Sequence, residues 1–174
     1  MTPKPFPWRK LTPAQLGLME RLAAANDGIP ISRLEYRELL ALEELQKLGF
    51  AESRANRRKL QASLTPRGRE LKADAYRTDL IILRITAPQI HLLKFLKDGP
   101  IEDSVGQPMT ALSGAMYDVC RRMTLRGWAE WYSGWNGKQW ARLTPAGFEV
   151  LEAVGAHEHT VIQFDTLRRR RGAI

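Results

Sequence analysis

Leu64-Thr65-Pro66-Arg67-Gly68 returns later in the chain as Leu143-Thr144-Pro145-Ala146-Gly147. Thr is a favoured helix cap, because its side-chain oxygen accepts a hydrogen bond from a free N–H of the first turn. Pro suits the position that follows, where no intrahelical bond needs the missing N–H. The stretch therefore predicts that a strand ends and a helix begins at residues 64–66, and again at residues 143–145.

The duplication extends upstream of both stretches. Gly49-Phe50 matches Gly127-Trp128, and Leu11-Thr12-Pro13-Ala14-Gln15 matches Ile85-Thr86-Ala87-Pro88-Gln89. The offset between the copies is 74 at the glutamines, 78 at the Gly-aromatic pairs and 79 at the threonines, so the insertions fall where loops are expected. Two units of roughly eighty residues each are predicted.

The composition is that of an ordinary soluble protein. The chain has 174 residues, of which 44% are hydrophobic and 26% are charged. Its longest apolar run, at residues 80–83, is far below the roughly 20 residues that a membrane helix needs, and the N-terminus lacks the apolar segment of a signal peptide. We therefore expect a cytoplasmic protein with no membrane partner. The single cysteine, Cys120, is expected in a core.

The net charge of +8, with an isoelectric point near 10.0, favours an anionic partner. Residues 1–84 hold 16 Lys and Arg against 10 Asp and Glu, whereas residues 85–174 hold 11 against 9. Positive charge is thus concentrated in the first repeat, in a proline-rich arm at residues 1–10 and in Arg168-Arg169-Arg170-Arg171. The arm is predicted to be extended, and the arginine run is predicted to be flexible.

The first repeat opens with two predicted helices. A helix capped by Thr12 would bury Leu16, Met19 and Leu22 on one face. Ser32 and Glu35 have the spacing of a capping box, which predicts that a short helix begins there.

A longer helix and a hairpin follow in the first repeat. The helix passes through Leu39, Leu42 and Leu45, and Gly49 is predicted to end it. Strands are predicted at residues 50–53 and 60–64, joined by a polar turn at residues 54–59.

The second repeat predicts the same order, with helices at residues 87–97, 107–112 and 113–125. The core face of the long helix is predicted to consist of Met116, Val119, Cys120 and Met123. Strands at residues 129–133 and 138–142 are predicted to pair across Gly134-Trp135-Asn136-Gly137, because Asn-Gly between aromatic-rich strands is a strong hairpin signal. A closing helix is predicted from Pro145 to about Val154.

These elements predict a mainly α fold with small β-hairpins (α+β). The domains are predicted at residues 11–79 and 80–155, after the arm at 1–10 and before a C-terminal segment at 156–174. Three helices, a two-stranded hairpin and a Leu-Thr-Pro step into a closing helix resemble the winged helix-turn-helix domain, here twice in tandem.

Each repeat also resembles the MarR-type bacterial transcriptional regulators in its last third. The similar segments are Leu45-Gln46-Lys47-Leu48-Gly49-Phe50 with Leu64-Thr65-Pro66-Arg67-Gly68, and Met123-Thr124-Leu125-Arg126-Gly127-Trp128 with Leu143-Thr144-Pro145-Ala146-Gly147. The resemblance covers residues 11–75 and 85–154. Those regulators usually carry one winged helix per chain and dimerise through extra terminal helices, so their ligand pocket and dimer interface are not carried over.

The resemblance implies that the third helix of each unit enters the DNA major groove, while its hairpin, the wing, contacts the backbone or minor groove. In the first repeat the candidate DNA-binding residues are Arg33, Tyr36, Arg37, Arg54, Arg57, Arg58 and Lys59. In the second repeat they are Ser113, Tyr117, Arg121, Arg122, Trp135, Asn136 and Lys138, and at the C-terminus they are Arg168, Arg169, Arg170 and Arg171. Glu43 and Glu44 lie on the first long helix and would be repelled by the duplex unless they point away.

Other chemistry finds little support in the sequence. Trp131 and Trp140 are interpreted as cross-strand or core residues of the second hairpin. His91 is interpreted as a boundary residue, and residues 157–159, His-Glu-His, lack the neighbours of a metal site, so no metal or cofactor is expected. The sequence contains no phosphate-binding glycine loop, nucleophile elbow or metal-binding helix motif, so an enzyme is not expected. Glu149 and Glu152 are typical of a solvated helix face.

The working hypothesis is a sequence-specific double-stranded DNA-binding protein, namely a bacterial or phage transcriptional regulator associated with the nucleoid. The alternative is a tandem winged-helix module that binds protein in a chromosome, replication or transcription complex, and a replication initiator is a third candidate. The acidic residues of the first long helix favour the alternative. Residues 156–167 alternate partly as in a strand, which predicts either a homodimer or folding back on the second unit.

Overall fold

The structure is a computed structural model that describes residues 5–25, 27–56, 59–99, 106–134 and 137–171, with side chains as far as residue 159. The helices are α1 (Pro13–Ala24), α2 (Tyr36–Lys47), α3 (Pro66–Ala73), α4 (Ala87–Lys97), α5 (Gly114–Arg126) and α6 (Pro145–Arg171). The strands are β1 (Phe6–Trp8), β2 (Ile29–Pro30), β3 (Ala51–Asn56), β4 (Lys59–Leu64), β5 (Leu83–Ile85), β6 (Gln107–Pro108), β7 (Ala129–Ser133) and β8 (Gln139–Leu143). The predicted α+β class is confirmed.

The chain divides into two compact units. The first unit comprises residues 7–83 together with 122–127, and the second comprises the described parts of residues 1–6, 84–121 and 128–174. The element order helix, strand, 3₁₀ turn, helix, hairpin, helix occurs twice, with the 3₁₀ turns at Ile31–Arg33 and Met109–Ala111. Two antiparallel sheets have the orders β2-β4-β3 and β6-β8-β7, and β1 pairs with β5.

The strand registers repeat along with the sequence. Ile29 pairs with Ala62 in the first sheet, and Gln107 pairs with Ala141 in the second. Both hairpins also close in the same way, because Ala51 lies opposite Leu64 and Ala129 opposite Leu143. The duplicated sequence therefore produces duplicated local structure.

The repeated Thr-Pro-X-Gly stretch begins α3 and α6 as predicted. The hydroxyl oxygens of Thr65 and Thr144 accept hydrogen bonds from the N–H groups of Gly68 at 3.0 Å and Gly147 at 3.1 Å. Each glycine also lies against a backbone carbonyl, since an added Cβ would fall 2.1 Å from the Phe50 oxygen in the first copy and 2.0 Å from the equivalent oxygen in the second. Only glycine fits this approach, which explains why it recurs at the same position.

The core of the first unit differs from the predicted face of α1. Leu18 and Met19 are buried there, whereas Leu16 is 39% exposed, so its predicted burial is wrong. The helix begins at Pro13 with a capping box between Thr12 and Gln15, and this start turns Leu16 toward solvent.

The core of the second unit contains Leu92, Leu93, Trp128 and Val150, each with 1% or less exposure. Cys120 is also fully buried, as predicted.

Two further predictions for the first unit are wrong. Ser32 caps no helix, because residues 31–33 form a 3₁₀ turn without a side-chain cap. Instead Glu35 caps α2, and its N–H donates to the Glu38 carboxylate at 2.9 Å. The predicted turn at residues 54–59 is also wrong, because β3 continues to Asn56 and β4 begins at Lys59. The hydrogen bonds between β3 and β4 satisfy backbone N–H and C=O groups of residues 54–56 and 59, which a turn would otherwise leave to water.

The closing helix of the second unit is much longer than predicted. α6 runs through 27 residues to Arg171, so residues 156–167 are helical and not a strand, and residues 168–171 continue the helix instead of forming a flexible tail. No proline follows Pro145, and the helix satisfies its own backbone hydrogen bonds, whereas a strand at 156–167 would need a partner strand.

Candidate nucleic-acid interface

The start of α2 presents three candidate residues to solvent. The preceding residue Leu34 is buried and anchors the turn that leads into the helix. Arg33, Tyr36 and Arg37 are exposed, and 62% of the Tyr36 surface is accessible. Two cations and an aromatic ring thus lie at the N-terminus of α2, beside the capping carboxylates of Glu35 and Glu38.

The end of α2 holds the first hairpin in place. Gly49 has a φ of +78°, the Phe50 N–H donates to the Leu45 carbonyl at 2.9 Å, and the Gly49 N–H donates to the Gln46 carbonyl at 3.0 Å. This is a Schellman motif, which turns the chain directly into β3. The Gln46 amide then donates to the Ser53 hydroxyl at 2.6 Å, so the helix and the hairpin are joined by side chains as well.

Arg54 and Lys59, the two described cations of the first hairpin, lie on one face. Arg54 lies opposite Gln61 across the strands, and Lys59 is two residues from Gln61, so Arg54 and Lys59 share the face opposite the buried Ala62. Both are exposed, and Arg54 forms an ion pair with Glu52 at 2.9 Å. The candidates Arg57 and Arg58 lie outside the described residues.

The adjacent glutamates Glu43 and Glu44 of α2 have different roles. Glu44 points inward, where it accepts a hydrogen bond from the Gln15 amide at 2.7 Å and lies 3.5 Å from Arg126, whose end of α5 belongs to the first unit. Glu43 is exposed and pairs with Lys47 at 2.6 Å. The hydrogen bond from Lys47 lowers the pKa of the Glu43 carboxyl, so Glu43 keeps its negative charge at neutral pH.

In the second unit α5 presents an aromatic and basic face. Tyr117 is 44% exposed and Trp131 is 37% exposed, and their ring centroids lie 5.2 Å apart at an interplanar angle of 38°. Arg121 is exposed one turn after Tyr117 and forms an ion pair with Asp118 at 3.2 Å. The candidate Ser113 is exposed immediately before α5 and accepts a hydrogen bond from the Met116 N–H at 3.3 Å.

The two tryptophans of the second hairpin lie on opposite faces. Trp131 is opposite Ala141 and donates its indole N–H to the Cys120 sulfur at 3.2 Å, whereas Trp140 is opposite Tyr132. They do not pair with each other, because adjacent positions on a strand point to opposite sides. The Arg142 guanidinium lies over the Tyr132 ring, 4.7 Å from its centroid, on the face away from α5.

The remaining candidates are spread over both units. Lys138 is exposed beside β8, and Trp135 and Asn136 lie outside the described residues. Arg122 belongs to the part of α5 that is grouped with the first unit. Arg168, Arg169, Arg170 and Arg171 continue α6, and their side chains lie outside the description.

The described residues hold no group of three or more His, Cys, Asp or Glu side chains that could bind a metal ion. His91 is exposed, as are Glu149 and Glu152 on α6. His157, which the sequence alone did not connect with anything, packs against the Phe6 ring at a centroid distance of 5.3 Å.

The contact between Tyr117 and Trp131 was missed at the sequence level. The sequence carries no local signal for it, because the contact depends on the helix phase of α5 and on the strand position of Trp131.

None of the family models, curated proteins or solved structures compared with this chain matches it. Among the described residues, no helix is both long enough and apolar enough to cross a bilayer.

Proposed function

We propose that this chain is a sequence-specific double-stranded DNA-binding protein built from two tandem winged-helix domains, with α2 and α5 as the third helices and the two hairpins as wings. The observation that carries the proposal is the junction of an exposed helix with a hairpin in each unit, with basic side chains on both. Such a pair can place side chains against base edges and phosphates at the same time.

The charges support the same partner. Arg33 and Arg37 at the start of α2, with Arg54 and Lys59 on the hairpin, are four exposed cations of the first unit, which suits the repeated negative charge of a duplex backbone. In α5, Arg121 is exposed where an arginine can form two hydrogen bonds to guanine. The proposed role is that of a bacterial or phage transcriptional regulator, located in the cytoplasm and associated with the nucleoid.

A fluorescence anisotropy titration tests the proposal. The full chain is titrated against a random duplex and against a duplex enriched from a random library, at two salt concentrations. We expect binding that weakens with salt and favours the enriched duplex. A dissociation constant weaker than about 10⁻⁴ M at modest salt is below ordinary non-specific affinity and would exclude DNA as the partner. A polyanion such as heparin is the control, because a protein of charge +8 binds it without sequence preference.

A second candidate function is a protein-interaction module of a chromosome, replication or transcription complex. It is favoured by the exposed apolar side chains of the first unit, since Tyr36, Leu39 and Leu60 are 62%, 36% and 51% exposed. A chain that is folded but binds no duplex at either salt concentration would favour this candidate.

A further inference from the structure

The two units carry opposite chemistry at equivalent positions. Pro30 and Pro108 occupy the same register in their sheets, and β3 and β7 begin at residues 51 and 129. In both pairs the two residues are 78 positions apart. Since α2 and α5 lie between these positions in their units, their residues also correspond at an offset of 78. Leu39 therefore corresponds to Tyr117, and Glu43 corresponds to Arg121.

The hairpin position next to these helices also differs. Ser53 lies opposite Ala62 and Trp131 lies opposite Ala141, and both alanines have 0% exposure. Ser53 and Trp131 thus point toward the helix of their own unit, as their contacts with Gln46 and Cys120 show. Three positions on one surface change from Leu, Glu and Ser to Tyr, Arg and Trp.

The surface of the second unit suits base contact. Tyr117 and Arg121 are four residues apart and share one side of α5, and Trp131 packs against Tyr117 from the hairpin. The guanidinium can form two hydrogen bonds to a guanine edge, and the rings can contact a thymine methyl group. Asp118 does not prevent this, because an exposed ion pair contributes little to stability and can exchange for a stronger contact.

The surface of the first unit opposes base contact. Glu43 is an exposed carboxylate at the position of Arg121, and its ion pair with Lys47 at 2.6 Å is at least as exposed as that of Arg121 with Asp118. A duplex carries about one negative charge per 1.7 Å of its axis, so a carboxylate at this position of the approaching helix is repelled. Leu39 and Ser53 have neither the paired N–H donors of a guanidinium nor an aromatic ring.

We propose that, within the proposed DNA-binding function, Tyr117, Arg121 and Trp131 of the second unit contact bases as one face. The equivalent face of the first unit, with Leu39, Glu43 and Ser53, makes no base contact, because Glu43 keeps this part of α2 away from the base edges.

Matched charge variants test this division. Wild type, Arg121→Ala, Arg121→Lys and Glu43→Ala are titrated against the enriched duplex and its scrambled version, and the ratio of the two affinities is compared. Arg84→Ala, an exposed arginine in β5 of the second unit, is the control for loss of one positive charge. Thermal unfolding checks that each variant is folded.

The expected results distinguish the loss of a base contact, which changes the affinity ratio, from the loss of a charge, which changes affinity for both duplexes. Arg121→Ala should lower the affinity ratio by about 5-fold to 150-fold, which is the range of one arginine-guanine pair. Arg121→Lys should lower the ratio similarly while affinity for scrambled DNA is kept, since lysine lacks the planar fork. Glu43→Ala should raise affinity for both duplexes by the same factor, and Arg84→Ala should leave the ratio unchanged.

Two outcomes would overturn the inference. An unchanged ratio in both Arg121 variants would remove α5 from base contact. A lower ratio in Glu43→Ala would mean that Glu43 itself contacts a base, as a carboxylate can with cytosine. Both outcomes presuppose that wild type binds duplex DNA, so they differ from failure of the proposed function, in which wild type does not bind.

Discussion

Trp131 donates its indole N–H to the sulfur of Cys120 across 3.2 Å, and this bond joins the second hairpin to α5. Burial raises the pKa of the Cys120 thiol, so the sulfur remains a neutral, weak acceptor at physiological pH. The same indole packs against Tyr117. One side chain therefore sets the position of the hairpin relative to the exposed face of α5.

Replacing Trp131 separates these two contributions. Trp131→Phe removes the N–H but keeps a ring, so we expect a loss of no more than about 1 kcal/mol in the free energy of unfolding. Trp131→Ala also removes the packing, and we expect about 2 kcal/mol, less than for a fully buried tryptophan because the side chain is more than a third exposed. Urea denaturation measures both. Equal losses in the two variants would mean that the ring contact with Tyr117 adds no stability.

Glycine substitutions test the close approach at the repeated stretch. An added Cβ at Gly68 or Gly147 would fall 2.1 or 2.0 Å from a backbone oxygen. Each Ala variant should therefore lose about 1–3 kcal/mol or more of its free energy of unfolding. Gly17 in α1 is the matched control, because a Cβ there meets nothing within 4 Å. Gly17→Ala should stabilise the chain by up to about 1 kcal/mol, as expected for a helix interior. Thermal unfolding of the three variants measures these changes in stability. A Gly68→Ala variant as stable as wild type would contradict the predicted clash.

Stability is expected to fall in acid because of two glutamates in the first unit. Hydrogen bonds from Lys72 and Tyr76 lower the pKa of Glu20 below 4.5. Burial raises the pKa of Glu38, but hydrogen bonds from Arg21 and the Glu35 N–H outweigh it and leave the pKa lowered.

A lowered native pKa means that the unfolded chain binds more protons. The contribution of Glu20 and Glu38 is therefore present above the unfolded pKa of 4.5 and is lost as pH falls through the native values. Urea denaturation between pH 3 and pH 7 should show this loss, and a Glu20→Gln, Glu38→Gln double variant should show a flatter pH dependence. If the double variant showed the same pH dependence of stability as wild type, other carboxylates would be the cause of the loss of stability in acid.

The wing of the first unit should contribute backbone contacts. Changing Arg57, Arg58 and Lys59 to Ala is expected to leave folding almost intact and to weaken binding to every duplex to a similar degree. The magnitude of the salt slope should fall by up to roughly 2.7, because each phosphate that is no longer neutralised lowers it by about 0.9. Anisotropy titrations at several salt concentrations measure the slope. Loss of sequence preference without loss of overall affinity would place these residues against bases instead.

The arginines at the end of α6 should act on affinity without affecting sequence preference. Truncation after Leu167 removes four positive charges, and we expect the magnitude of the salt slope to fall by up to roughly 3.6. The ratio of affinities for enriched and scrambled duplex should be unchanged. An unaltered slope would leave this end of the helix without a role in DNA binding, and a large drop in melting temperature would mean that it stabilises the fold.

Local signals made much of the fold predictable. Thr65 and Thr144 as caps and Gly49 as a helix stop act within a few residues of themselves, so their effect does not depend on the rest of the molecule. The internal repeat was also readable, because the same local signals occur twice in the same order. Where the signals were ambiguous, as for Ser32 and Glu35, the prediction failed, since Glu35 itself is the N-cap of α2 and Glu38 is its partner three residues on.

The sequence by itself determined the duplication, the capped starts of α3 and α6 and the two hairpins, and it indicated which helices carry positive charge. Only the tertiary structure decided that Glu44 turns inward to Gln15, 29 residues away, while Glu43 stays exposed. It also decided that Trp131, and not Trp140, faces α5. Helix phase and strand register set these orientations, and both depend on packing against distant parts of the chain, because a side chain one position away points to a different face.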